Sequence, residues 1–327
     1  MKKCYLGIDI GKTNMRFAVT EEEPVLKFYT KRKYSKDSKE ELFARIFDGI
    51  DEALRESGYS EKEMLGIGIS VPAVVDRKTG VIAWGPQWDF LGGVSITKPL
   101  EERFGVPVAA DVDTVMAAWG TLWAGIGTEC DRYALLTWGT GLGAGFIMDG
   151  KVVENANNLF PEFGHSVVSD DDWPCKCGAT GCVDTLVCGS GIAKHGQLAV
   201  VKEKESLLHE LCGGFPSKLT SPMVFEAAEK GDKVAISVLE RVATLLGRLC
   251  SNIVHTMQPE KIVIVGGLAE RSDFVLETIN RVMRENNWLI FKDLTKCEVI
   301  CSELVDEAGV LGAIRKVQSL RSEIEKQ

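Results

Sequence analysis

No apolar run in the 327 residues approaches the roughly 20 needed to cross a bilayer as a helix. Positive charge is also short: 38 Lys and Arg stand against 47 Asp and Glu, a net charge of −9. These two lacks argue against a membrane-spanning chain and against a surface built to hold nucleic acid or anionic lipid, a local patch aside. The first twenty residues read as strand rather than as a secretory signal. No low-complexity linker occurs, and no repeat beyond the two hairpins described below. Most of the ten cysteines stand alone among apolar neighbours, the pattern of buried, reduced thiols rather than of a disulfide framework, so a cytoplasmic setting is expected. What the chain does have is length for two domains and a 45% apolar fraction, ample for sizeable cores.

The stretch Glu162–Asp184 is the most distinctive. It offers His165, Cys175, Cys177 and Cys182 within eighteen residues, one imidazole and three thiols, which is the ligand set of a closed structural zinc site. Gly178 and Gly181 allow the tight turning that such a loop needs. Three cysteines this close in a chain without a disulfide pattern favour a metal over ordinary buried thiols. A closed site shapes its surroundings rather than reacting, and Glu162, three residues before His165, is the side chain within reach of that shaping.

Two glycine turns carry the other chemistry. Residues 4–19 are two β-prone runs flanking Asp9, Gly11, Lys12 and Thr13, a hairpin with a polar turn. There a glycine admits phosphate oxygens to backbone amides, Thr13 and Lys12 add a hydroxyl and a charge, and Asp9 suits a hydrated magnesium ion. An ordinary hairpin turn reads the same way. The second turn lies in residues 134–150, where Gly139, Gly141 and Ala144 satisfy a G-x-G-x-x-A pattern. A dinucleotide-binding fold needs a helix next. Here Phe146-Ile-Met leads to Asp149-Gly150, a hairpin turn followed by more strand. The two turns together fit a nucleotide held by one hairpin per lobe.

Between them, apolar spacing predicts a helix over 39–57, capped by Ser38 with Glu41 and ended by Gly58. Strands are expected at Leu65–Val71 and Val106–Ala110, with an amphipathic turn at Leu100–Phe104 before the second. Asp113 then sits where strand passes to helix, a point at which ligands meet open α/β sheets. Its carboxylate can take a proton from a substrate hydroxyl, or Asp111 or Asp113 can simply cap the helix. Later, Ser221-Pro222 opens a helix, apolar spacing runs from Val234 to Val254, Pro259–Leu268 is a strand ending in Gly266-Gly267, and Asp306 starts a last helix.

With these motifs in order, the chain resembles the ROK family of sugar kinases, repressors and related frames within the actin-like ATPase superfamily. The resemblance rests on D-x-G-x-T at Asp9–Thr13, V-P-x-x-V-D at Val71–Asp76, Asp113, and G-T-G-x-G at Gly139–Gly143. It continues through E-x-G-H at Glu162–His165, C-x-C-G-x-x-G-C at Cys175–Cys182, Val265-Gly-Gly267 and Asp306–Gly309. It implies an α/β fold of two ribonuclease H-like lobes with a nucleotide and sugar cleft between them. Residues 1–112 with 309–327 would form the smaller lobe, and 113–308 the larger one carrying the zinc loop. The activity implied is a glucokinase-like, ATP- and magnesium-dependent phosphorylation at C6 of a hexose, N-acetylhexosamine or related sugar, by a cytoplasmic homodimer. Asp113 would be the base. Asp9, Gly11, Lys12 and Thr13 would meet magnesium and the terminal phosphates, Gly139, Thr140 and Gly141 the phosphates from the other lobe, and Gly266 and Gly267 the adenosine. Glu162, His165, Asp184, Gln87 and Ala73 would line the sugar, His165 also binding zinc.

The recognition positions depart from the family pattern. Val112 replaces the asparagine before the catalytic aspartate, Gln87 an asparagine in the preceding loop, Asp184 a glutamate, Ala73 a glycine, and Lys12 a second glycine. Losing an amide at 112 removes a donor and an acceptor from the sugar's hydroxyls, which at about 1–3 kcal/mol per unpaired group changes which sugar binds best. The resemblance also leaves an inactive sugar sensor as an alternative. A repressor is disfavoured by the acidic charge and by a chain that runs straight into the nucleotide hairpin instead of a helix-turn-helix.

Overall fold

Strand β1 (Cys4–Ile10) is buried along its whole length, because it lies in the middle of a sheet covered on both faces. The computed structural model describes residues 2–34, 38–85, 88–153, 162–268, 273–290 and 296–326. They divide into two compact units, 1–131 with 147–160 and 303–327, and 132–146 with 161–302.

In the first unit β1 is joined to β2 (Asn14–Thr20), β3 (Leu26–Lys33), β4 (Met64–Val71) and β7 (Val108–Val112) in the order β3-β2-β1-β4-β7. β2 runs antiparallel to β1, forming the expected hairpin, whereas β4 pairs parallel to β1 and β7 parallel to β4. A small ribbon of β5 (Val74–Val75) and β6 (Ile82–Trp84) follows β4. Side chains alternate across the sheet. Leu6, Ile8, Ile10, Ile67 and Ile69 share a core with Leu42, Ile46 and Ile50 of helix α1 (Lys39–Ser57). Ser38 caps α1 through the Glu41 amide at 3.2 Å, and Gly58 ends it at φ 77°. The other face carries Tyr5, Ala18 and Ala109 against Val310, Ile314 and Val317 of the C-terminal helix (Ala308–Ile324). Burying each of those three apolar side chains is worth roughly 1.5–3 kcal/mol.

That helix lies on a seat of glycines. A Cβ at Gly7 or Gly68 would overlap the carbonyl of Val310 or Ala313. The alternation of Gly66 and Gly68 with Ile67 and Ile69 in β4 therefore has a two-sided meaning, close backbone approach on one face and apolar packing on the other. Helix α3 (Asp113–Ala124) packs beside the same helix by the same device, since a Cβ at Gly120 or Gly312 would overlap Ala308 or Met116 backbone. This contact carries α3 into the first unit, where the sequence reading had begun the second lobe at Asp113. Helix α2 (Lys98–Phe104) precedes β7, which begins two residues later than expected and runs on through Asp111 and Val112.

The second sheet has the order β10-β9-β8-β11-β12, from β8 (Tyr133–Trp138), β9 (Leu142–Met148), β10 (Lys151–Val152), β11 (Lys261–Val265) and β12 (Glu298–Cys301). β8, β11 and β12 pair in parallel. Asp149 and Gly150 turn β9 into β10 with φ of 52° and 68°, the positive values a tight hairpin turn demands, so no helix follows the glycine loop. Helices α4 (Val183–Val187), α5 (Gly189–Lys202), α6 (Leu207–Leu211), α7 (Ser221–Glu229), α8 (Lys233–Met257) and α9 (Asp273–Asn286) complete the unit. Asp232 caps α8, accepting from Ala235 N at 2.8 Å. Thr220, rather than Ser221, occupies the cap position of α7, and the last helix begins at Ala308, leaving Asp306 outside it. All ten cysteines are free thiols. Among the described residues no helix is long and apolar enough to cross a membrane.

The glycine seat makes a sharp prediction. Gly312→Ala, although favourable for an isolated helix, should destabilise the protein by about 1–3 kcal/mol or more, the scale of an overpacked core. Urea titration checks it, and an unchanged midpoint would show that α3 and the C-terminal helix can separate freely.

Candidate active site

Asp9 lies near the end of β1, opposite Arg16 on β2. Its Oδ1 accepts from Ser70 Oγ at 2.6 Å and its Oδ2 from Arg16 Nη1 at 2.9 Å. Arg16 also donates to Asp306 Oδ1 at 2.5 Å, and Lys31 donates to Asp306 Oδ2 at 2.6 Å. Two carboxylates and two cations thus form one chain across β1, β2, β3 and the approach to the C-terminal helix. Burial pushes the Asp9 carboxyl above its usual range, against the pull of Arg16 and Ser70. Gly309 leaves the room beside it, since a Cβ there would stand 2.9 Å from Asp9 Oδ1. In the adjoining turn, Gly11 N donates to Asn14 O at 2.9 Å and Tyr34 Oη to Gly11 O at 2.7 Å, while Lys12 and Thr13 are exposed.

Asp113 is exposed at the first position of α3, where its Oδ1 accepts from Thr114 N at 2.7 Å. Two residues earlier, Asp111 is buried and bound by Arg77 Nε at 2.7 Å, while its other oxygen accepts from Val112 N at 2.9 Å. Burial pushes the Asp111 carboxyl up, and Arg77 opposes the shift. Asp111 is therefore a buried, ion-paired anchor, and Asp113 is the exposed carboxylate of the two. Ala73 is buried, with Gly85 close enough that a Cβ there would lie 2.7 Å from the alanine methyl. Gln87 lies outside the described residues.

In the second unit the Gly139–Gly141 turn closes on itself through Gly139 N to Gly141 O at 3.0 Å. Thr140 and Gly141 are exposed. Asp184 lies in the first turn of α4, and its Oδ1 accepts from Leu142 N at 2.6 Å and from the Cys188 thiol at 3.4 Å. Its side chain is one methylene shorter than glutamate, and it ends on the glycine loop. Gly266 has φ 124°, and a Cβ there would overlap Trp138 O, so the backbone at the end of β11 lies directly against β8. A Cβ at Gly267 would meet nothing within 4 Å.

The His/Cys stretch assembles as its spacing suggested. His165, Cys175, Cys177 and Cys182 bring one nitrogen and three sulfurs within 4.8 Å of one another. His165 Nδ1 is 3.5 Å from Cys175 Sγ, and Cys177 Sγ is 3.6 Å from Cys182 Sγ. Zinc bonds of ~2.3 Å to sulfur and ~2.0 Å to nitrogen give tetrahedral edges of about 3.5–3.8 Å, so the donor set fits that ion. Burial opposes ionisation of Cys175, yet hydrogen bonds from the Cys177 backbone and from the Thr185, Cys177 and Cys182 side chains bring its thiol down to about 7. The loop is braced from outside the cluster. Asp171 pairs with Arg241 of α8 at 2.5 Å, and Lys194 of α5 stands 3.8 Å over the Trp173 ring. His165 Nε2 points to the other side, 3.8 Å from Glu162 Oε2.

Sequence reasoning missed Arg16, Lys31, Ser70 and Arg77. The signal for Arg16 was there: it is a charge within the otherwise apolar run Met15–Val19. Arg16→Ala should leave Asp9 buried without its cation, a loss of about 3–5 kcal/mol by the usual scale of a broken buried pair. The sign of the pH dependence follows. Without Arg16 the Asp9 carboxyl rises further, so the variant takes up a proton there at higher pH and the uncompensated charge disappears. The stability deficit should be greatest at neutral pH and shrink on acidification, as protonation also removes the Asp306 contribution. Chemical denaturation from neutral to acid pH measures it, and a deficit that grows on acidification would contradict the assignment.

The ROK family model matches residues 5–319. A glucokinase of Halalkalibacterium halodurans is 32% identical over 330 residues, covering 99% of this chain and 98% of that protein. A xylose repressor of Caldicellulosiruptor bescii is 27% identical over 321 residues, covering 96% of this chain and 78% of the repressor. Among solved structures, a ROK family glucokinase from Streptomyces griseus, crystallised with glucose and AMPPNP, is 26% identical. It superposes with a TM-score of 0.81 over 97% of this chain and 99% of that one. The two α/β units, the paired glycine hairpins and the His/Cys cluster have the same explanation as this match: the chain belongs to the ROK family, whose sugar kinases share the actin-like ATPase fold.

Proposed function

We propose that the protein is an ATP-dependent sugar kinase that phosphorylates the C6 hydroxyl of a hexose, an N-acetylhexosamine or a related sugar. The observation that carries this reading is the outward Asp113 carboxylate, fixed at the start of α3 beside the Asp111–Arg77 ion pair. The full-length likeness to glucokinases supports it. Asp113 accepts the hydroxyl proton as the sugar oxygen bonds to the γ-phosphorus and the bond to ADP breaks. Phosphoryl transfer depends mainly on alignment and charge neutralisation, so one carboxylate suffices as base. The turn amides with Lys12, Thr13 and Thr140 hold the phosphates, and Gly266 and Gly267 adjoin the adenosine. Both Asp9 oxygens already accept a protein hydrogen bond, which leaves lone pairs for a water of hydrated magnesium rather than for a bare ion. Magnesium, when bound, neutralises phosphate charge.

Glu162 and His165 contact sugar hydroxyls from the loop that zinc holds, the imidazole using Nδ1 for the metal and Nε2 for the ligand side. Val112 makes that shell more apolar than an amide-bearing one, which favours a sugar differing from glucose at the hydroxyls an asparagine would bind. A regulatory reading has one specific support, the repressor likeness across 96% of the chain. ADP release across hexoses, amino sugars, N-acetylated sugars and polyols separates the two: release with at least one sugar is expected, and sugar binding with no turnover would make the protein a sensor.

Asp113→Asn should lower turnover by ~10²–10⁴-fold with sugar affinity retained, the scale of one acid–base group. Steady-state kinetics with a sugar titration checks it, and near-wild-type turnover would move the base elsewhere. For the metal, elemental analysis should find about one zinc per chain. Cys177→Ser should lose it and lower the thermal midpoint, because metal binding is coupled to ordering of the loop. A wild-type protein free of zinc would end the proposal.

A further inference from the structure

We infer that Asp184 is a positioning residue for the phosphate-holding glycine loop. The inference rests on the kinase reading above. Four observations converge. The Asp184 Oδ1 to Leu142 N hydrogen bond, at 2.6 Å, joins a carboxylate to the first residue after the Gly139–Gly141 turn. Gly141 lies so near that carboxylate that a Cβ would sit 3.3 Å from Oδ1, a tight contact that any side chain would worsen. The same turn is held by Gly189 N donating to Gly139 O at 3.1 Å from the start of α5. Gly164 packs on the Leu142 carbonyl from the His165 side, with no room for a Cβ.

An amide bonded to Asp184 cannot donate to a phosphate. Leu142 is therefore the held end of the loop, and the turn residues before it are the holding end. A charged acceptor makes a stronger hydrogen bond than a neutral one, so this contact fixes the turn before nucleotide arrives. It also links two features that sequence leaves apart. Cys182 is the N-cap residue of α4, Val183 N donates to Ser166 O at 2.9 Å, and Asp184 follows directly. The segment that ends in a metal ligand is thus continuous with the one that braces the glycine loop.

The test uses the full chain. In Asp184→Ala, exchange of the Leu142 amide, followed by NMR or mass spectrometry without ligands, should accelerate by about 10- to 100-fold, the worth of a charge-assisted hydrogen bond. The KM for ATP should rise roughly tenfold while the KM for the sugar stays within about twofold. Asp184→Asn keeps an oxygen acceptor at the same reach without the charge and should recover part of both effects. If the sugar KM rises while Leu142 exchange and the ATP KM hold, Asp184 is a sugar contact and the inference falls. Equal losses for both substrates that Asp184→Asn fails to recover would also overturn it, as marks of a purely structural role. Should no sugar be turned over at all, Leu142 exchange and titration with a nonhydrolysable ATP analogue still decide, since neither needs activity.

Discussion

Backbone-to-backbone contact beneath the C-terminal helix is the constraint on which the first unit depends. Gly7 and Gly68 in adjacent strands, and Gly120 in α3, remove the side chains that would hold that helix away. Only at this distance can Val310, Ile314 and Val317 fill the face of the sheet that α1 does not cover. The same approach brings the residues before the helix to the β1–β2 hairpin, where Asp306 meets Arg16 and Lys31 and Gly309 lies against Asp9. Packing and electrostatics are thus not separable here, because the ion chain exists where the glycines let the helix come down.

The carboxylates divide by burial. Asp9 and Asp111 are buried and each has a cation, Arg16 and Arg77, without which the burial could not be tolerated. Asp113 is exposed at the start of its helix, where its Oδ1 accepts from Thr114 N. An exposed carboxylate can exchange protons with a substrate, as proposed for Asp113, whereas a buried and paired one holds its neighbours in place. Asp184, half-buried, holds backbone instead, through the Leu142 amide.

The His/Cys loop follows a similar division. Its four donor atoms face inward, while Asp171, Trp173 and Val168 bind it to α8 and α5 from outside. Bracing from both sides leaves Glu162 as the exposed carboxylate at the loop's edge. In the reading proposed here, the loop serves two clients through opposite ends, the sugar by way of Glu162 and His165 and the glycine turn by way of Asp184.

Most elements were legible because their causes are local. Apolar spacing and Ser38 define α1, Asp149-Gly150 forces a hairpin where a fingerprint suggested a helix, and the His/Cys spacing needs only a short loop to close. Boundaries slipped where the cause was remote: β7 extends to Val112 because β4 continues beside it, and the last helix starts at Ala308 while Asp306 turns to Arg16. The sequence alone thus determined the periodicities, the turns and the composition of the His/Cys cluster, since each is encoded within a few residues. Tertiary structure alone decided what holds each carboxylate. That depends on partners such as Arg16 and Asp306, 290 positions apart, and the charge of an aspartate in a list of letters says nothing about which cation or amide folding will bring to it.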